Sequence, residues 1–177
     1  MILLAHTDCK INREVPLMNI ELLKDAIAII DGIPAPRIVL DRWQSSGCVS
    51  DGWGGTKYRV VRHIRSIKPY TVACAAVWLS LHPQFRALKV RILSSSGEPY
   101  IPHKSLYGYG ALAHLFDITP AMAAALFESR SVPERIRYSE LDDKSLWLRR
   151  ARVLLTDREG FISEFCTYAE TRATIII

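Results

Sequence analysis

The chain has 177 residues, 49% of them hydrophobic and 23% charged, with a formal net charge of +5. That length fits one domain burying roughly two thirds of its unfolded surface, and the composition excludes a mainly disordered chain. The charge distribution weighs against a DNA mimic made of massed carboxylates: residues 57 to 104 hold nine Lys and Arg against Glu98 alone, a net +8, which leaves −3 for the rest.

Met1 to Ala5 suits a short strand; it is too brief for a signal h-region and runs straight into His6, Asp8 and Lys10. No run of 18 uninterrupted apolar residues occurs, so the expectation is a cytoplasmic protein without a membrane contact. Cys9, Cys48, Cys74 and Cys166 form no C-x-x-C pair and read as buried free thiols. Asn19 is placed to cap a helix reaching Asp31: Ile20, Leu23, Ile27 and Ile30 recur at three and four residues, and Gly32 marks the stop. Pro34 and Pro36 impose an extended turn, Ile38 to Leu40 lead to Trp43, and a Ser/Gly-rich loop runs from Gln44 to Gly55.

From Lys57 the periodicity is helical, with Val60, Ile64 and Ile67 on one arc, Arg59, Arg62 and Arg65 opposite, and Pro69 as the end. Thr71 to Leu81 has no polar face and predicts a central buried helix, stopped or kinked by Pro83. Val90–Leu93 and Glu98–Ile101 flank Ser94-Ser95-Ser96-Gly97 as a small hairpin. Two short helices follow, Leu106–Phe116 and Thr119–Glu128, the second capped by Thr119 with Pro120 in its first turn. A last helix is expected from Ser139 to about Asp157, before Gly160, with Arg149, Arg150 and Arg152 on its solvent face. The predicted fold is α+β: a single, mainly helical domain over residues 1–177 with its core in about 15–160, the buried helix at about 71–81 and a small antiparallel sheet. The tail 161–177, ending in three isoleucines, is expected to pack or form a strand.

The chemistry-bearing patterns point to binding. Lys57, Tyr58, Arg59, Arg62, Arg65 and Lys68 form a cationic stretch without an acid, suited to phosphates or an acidic protein face, although a solvated helix face explains the same charges. Trp53, within Gly52-Trp53-Gly54-Gly55, suits a contact residue as well as a core anchor; that loop lacks the Lys and hydroxyl of a phosphate-binding P-loop. The ALAHLF and TPAMAAALF helices have helix-turn-helix spacing, yet the second offers Ala and Met where base reading needs Arg, Asn or Gln. The five histidines make no i, i+3 or i, i+4 pair with another His or Cys, and no nucleophile elbow, H-E-x-x-H or paired-carboxylate motif occurs, so no metal, cofactor or catalytic residue is expected. Asp142 and Asp143 are adjacent on a helix start and point in different directions.

The segments TVACAAVWLSLHPQFRALKV and GYGALAHLFDITPAMAAALF resemble a group of small phage and prophage accessory proteins of uncharacterised function, which carry a C-G-T-x-A-C-x-A-G-W-like segment and a later A-x-x-x-F-x-[IL]-[ST]-x-x-x-A-x-x-L-F unit. The similarity spans about Asn19 to Phe127; Pro69-Tyr70 stands where the group has Cys-Gly, and Val77 replaces its Gly. The resemblance implies a mobile-element protein working in an infected or lysogenic bacterial host. The expected function is non-catalytic binding and inhibition of a bacterial protein or ribonucleoprotein complex, of the anti-CRISPR or other anti-defence kind, through Arg59, Arg62, Arg65, Lys57, Lys68, Trp53 and Tyr58. The alternatives are a nucleic-acid-binding regulator using residues 57–68 and a small enzyme whose site gathers distant residues around His82, His103 or Cys48.

Overall fold

Asn19 opens the first helix as its sequence suggests: its side-chain oxygen accepts the Leu22 N–H at 3.1 Å, and α1 runs Ile20–Asp31 with Gly32 at its end. This computed structural model describes residues 18–40, 43–45, 49–50, 56–57, 72–93, 95–128 and 142–166. Leu22, Leu23, Ala26 and Ile30 form the buried stripe of α1. Pro34 then leads into a 3-10 turn, Ala35–Arg37, and Ile38 bridges in parallel to Ala73.

Short ladders follow. β1 (Gln44–Ser45) pairs antiparallel with β4 (Val72–Ala73), and β2 (Val49–Ser50) pairs antiparallel with β3 (Thr56–Lys57). Two expectations are corrected here. Lys57 lies opposite Val49 in a strand instead of starting a helix, and the 44–55 stretch is partly paired instead of being all loop. The expected helical residues from 58 to 70 lie outside the described residues, as does the strand expected at Met1 to Ala5.

The central buried helix is α2, Ala75–Leu81, and every residue in it is buried. It starts later than its composition suggests because Val72 and Ala73 are held extended by Ser45 and Gln44, and the Cys74 N–H by the Trp43 carbonyl at 3.0 Å. Pro83 ends it and opens α3, Pro83–Ala87. Trp78, 4% exposed, donates its indole N–H to the Arg37 carbonyl at 3.0 Å and lies under the Arg37 guanidinium at 4.7 Å. Ser80, the polar residue within α2, is satisfied by the Ala76 carbonyl at 2.7 Å.

The hairpin forms as β5 (Arg91–Ile92) and β6 (Pro99–Ile101), and a third strand, β7 (Leu106–Tyr107), completes an antiparallel sheet ordered β5-β6-β7. Leu106 was expected to begin a helix; it pairs with Ile101 instead, and α4 starts only at Gly108 and ends at Phe116. Gly108 has φ +50°, and a side chain there would meet a Glu98 carboxylate oxygen at 3.0 Å, so any other residue at this turn from strand to helix would be strained. α5, Pro120–Phe127, is capped by Thr119 accepting from Met122 N–H.

α6 (Asp143–Thr156) begins with Asp142 itself as cap, accepting the Ser145 N–H at 2.8 Å; Ser139 lies outside the described residues. Beyond it, α7 (Arg158–Phe161) and a π-helical turn, Ile162–Cys166, bury Phe161, Phe165 and Cys166, so this part of the tail packs. Gly160 sits inside α7 instead of marking the stop of the previous helix, and Asp157, whose carboxylate accepts its N–H, leaves no room there for a side chain. The resulting fold is a mainly helical α+β domain. One buried cluster joins α1, α2, α4, α5, α6 and the tail, with Phe116, Phe127 and Trp147 in tilted ring contact through its middle.

Candidate functional site

The binding residues expected from sequence are placed only in part. Lys57 is held by its backbone in β3, while Trp53, Tyr58, Arg59, Arg62, Arg65 and Lys68 lie outside the described residues. The arginines of α6 divide. Arg152 is exposed and Arg149 pairs with Glu164 at 2.8 Å, but Arg150 is fully buried, which corrects its expected solvent position. Its guanidinium donates to the carbonyls of Ala125 and Glu128 at 3.1 and 3.0 Å, at the C-terminal end of α5. Helix ends leave such carbonyls without intrahelical partners, and a cation there also meets the negative end of the helix dipole.

The α4–α5 pair has one geometric property of a helix-turn-helix: the axis turns through 104° across the three residues from Asp117 to Thr119. The helix that would read bases is nevertheless spent on the core, with Met122, Ala123, Ala125, Leu126 and Phe127 all buried. What α5 leaves uncovered is Pro120, exposed, with Ala121 and Ala124 half-buried, and none of their side chains can hydrogen-bond a base edge. The same two helices are together apolar enough for a broken membrane span, but both are core helices, and among the described residues no single helix is long and apolar enough to cross a membrane.

A half-buried cluster of Trp43, Tyr109 and Glu128 lies where α4 meets the segment before β1. The Trp43 and Tyr109 rings are 4.9 Å apart, and the Tyr109 hydroxyl donates to the Glu128 carboxylate. Burial raises the phenol's pKa well above its ordinary value, and the nearby negative charges of Glu128 and of an ionised Cys74 push in the same direction. Cys74 is raised from 9.0 to about 12 by burial, which outweighs the backbone N–H groups of Val77 and Ala76 that favour the thiolate. A thiol so placed stays protonated near neutrality and is a poor nucleophile. His82, between α2 and α3, has a buried Nδ1 without a hydrogen-bond partner among the described residues, and no three His, Cys, Asp or Glu side chains among those residues gather as a metal site.

Among the described residues, the three-stranded sheet presents aromatic and basic side chains on its outer face, Tyr107 exposed and Arg91 and Tyr100 half-buried. Register places Arg91 opposite Tyr100 and Tyr100 opposite Tyr107, so the three form one row across β5, β6 and β7. Period-two alternation turns Ile92, Pro99 and Ile101 inward, where they are buried, and leaves the row on the other face. The Tyr100 and Tyr107 rings lie 6.1 Å apart and within 8° of parallel. Tyr107 is 52% exposed, and Arg91 is anchored by hydrogen bonds from one terminal nitrogen to the Arg86 and Val90 carbonyls at 3.0 and 2.8 Å. The hairpin is legible in sequence, but the row is not, because Tyr107 falls in the stretch expected to be helical; the two-residue alternation in Pro99-Tyr100-Ile101 and Leu106-Tyr107 is the signal for it. Comparison with protein-family models, with curated proteins and with solved structures gave no match, so the meaning of this face rests on its own geometry and charge.

Proposed function

We propose that the chain acts by binding and inhibiting a bacterial protein or ribonucleoprotein complex, without catalysis, as a phage-type accessory protein of the anti-defence class. The observation that carries this reading is an outward row of two tyrosines and an arginine, Arg91 and Tyr100 lying within the part of the chain that holds a net +8 and Tyr107 three residues beyond it. Tyr and Arg are enriched among residues that dominate binding energy: Tyr brings a large rigid contact area, and Arg brings a charge with a planar fork of donors. The resemblance of TVACAAVW and the following helices to small phage proteins supports the biological setting. The basic residues Lys57, Arg59, Arg62, Arg65 and Lys68, with Trp53 and Tyr58, are proposed as the second part of the contact surface.

The test is capture from bacterial lysate by the tagged chain, with and without nuclease, followed by assay of the captured complex with added purified protein. A specific complex is expected, its activity falling as the protein is added, and its capture lost on reversing the charge of Arg59, Arg62 and Arg65. Equal capture by the charge-reversed chain, or unimpaired activity of the captured complex, overturns the reading. A direct contact with nucleic acid is favoured over a protein-only contact by one observation, the near-parallel stack of Tyr100 and Tyr107.

A further inference from the structure

We propose that the outer face of the β5-β6-β7 sheet is a stacking site for single-stranded nucleic acid, with Tyr100 and Tyr107 as base platforms and the basic end of the sheet as the phosphate track. The inference rests on the binding reading above and narrows it to a partner that presents unpaired nucleotides.

Three observations converge on this occupant. The rings are near-parallel neighbours on adjacent strands, and Tyr107 is 52% exposed, so flat aromatic surface is available to unstacked bases. The cross-strand pair alone accounts for the two rings meeting, but not for the arrangement of charge around them. Antiparallel pairing puts Lys89, two residues before Arg91, at the same end of the sheet as the turn Pro102–Lys104. Lys89, His103 and Lys104 are exposed at that end. Glu98, the one acid between Arg86 and Lys104, lies at the opposite end, where its carboxylate approaches Gly108. The face is therefore aromatic in its middle, cationic at one end and acidic at the other. A strand running across the basic end would satisfy its phosphates there and lay its bases over the tyrosines, while Glu98 repels phosphate from the far edge. Duplex nucleic acid keeps its bases stacked and paired, and so cannot use the rings in this way.

Fluorescence anisotropy with a labelled single-stranded oligothymidine and the full chain tests the site, with an unlabelled duplex of the same length as competitor. The native chain is expected to prefer the single strand. Tyr107→Ala should weaken binding roughly tenfold with little change in salt dependence, whereas Tyr107→Phe, which keeps the ring, should bind as the native chain does. Replacing Lys89 and Lys104 together by Ala should flatten the decline of affinity with salt. Native-like thermal unfolding of Tyr107→Ala certifies the comparison, and binding by Tyr107→Phe covers the case in which the alanine variant fails to fold. The proposal is overturned by no detectable binding, by equal binding to duplex, by unchanged binding of Tyr107→Ala, or by weakened binding of Tyr107→Phe. It is overturned as well if Tyr107→Ala abolishes capture of a bacterial complex that survives nuclease, because the face would then dock protein. A chain that binds the oligonucleotide yet inhibits no bacterial complex upholds the sheet site and sinks the inhibitor reading; the reverse result separates them the other way.

Discussion

Arg150 shows how much one side chain can hold. It is 0% exposed and ties the end of α5 to α6 through the Ala125 and Glu128 carbonyls. Arg150→Ala removes both bonds and opens a cavity, so a loss of about 3 to 5 kcal/mol is expected in urea unfolding. Trp147 offers a contrast. It is fully buried against Phe127, yet its indole N–H has no hydrogen-bond partner among the described residues. Trp147→Phe sheds that unsatisfied donor and should cost less than about 1.5 kcal/mol, whereas Trp147→Ala should cost about 3 to 5 kcal/mol by the same measurement. Cys74 gives a pH dependence. Its thiol ionises at 9.0 when unperturbed and at about 12 in the fold, so above pH 9 the unfolded chain loses the proton first and the native state loses stability. The stability is full below pH 9 and declines by up to ~1.4 kcal/mol per unit until about pH 12. Urea midpoints measured across that range should fall less steeply for Cys74→Ala than for the native chain, while the raised phenol of Tyr109 keeps part of the slope.

At the scale of elements, the parts visible in sequence are those whose signals are local. Asn19 and Thr119 cap α1 and α5 through bonds spanning three residues, and Pro83 separates α2 from α3 without help from elsewhere. Replacing Asn19, Thr119 or Asp142 by Ala should each lower stability by about 1 kcal/mol, read as a shift of the denaturant midpoint at constant m-value. What sequence hid depends on partners far along the chain. Val72 and Ala73 have helical neighbours in sequence but strand partners at Ser45 and Gln44, and Leu106 becomes a strand residue only because Ile101 lies beside it. Arg150 looked like a surface residue because its neighbours in sequence are charged; the carbonyls it serves are more than twenty residues away. The outward row on the sheet is hidden for the same reason, since two of its three members meet only after β7 pairs with β6. The adjacent carboxylates Asp142 and Asp143 do diverge as expected, the first capping its own helix and the second accepting the Leu40 N–H at 2.8 Å.

Across the whole molecule, the core is closed by contacts between sequence-distant elements. The helix α6 lies against α1, and its first turn holds the segment from the end of α1 to Leu40: Asp143 accepts from the Leu40 N–H, and the Lys144 ammonium donates to the Asp31 carbonyl at 2.6 Å. These bonds span 103 and 113 residues. The α4 end is fastened to α1 in the same manner, by the Asn19 N–H donating to the Phe116 carbonyl at 2.9 Å. Such sequence-distant closure implies slow, late consolidation relative to a bundle of neighbouring helices. During synthesis, the apolar stripe of α1, Leu22, Leu23, Ala26 and Ile30, meets α2 and α4 first and is completed only by a helix made more than a hundred residues later. A chain interrupted before Asp142 would keep the α2 and α4 contacts of that stripe but leave its α6 side uncovered, which makes premature termination a route to aggregation and gives a quality-control protease a distinction between finished and unfinished copies.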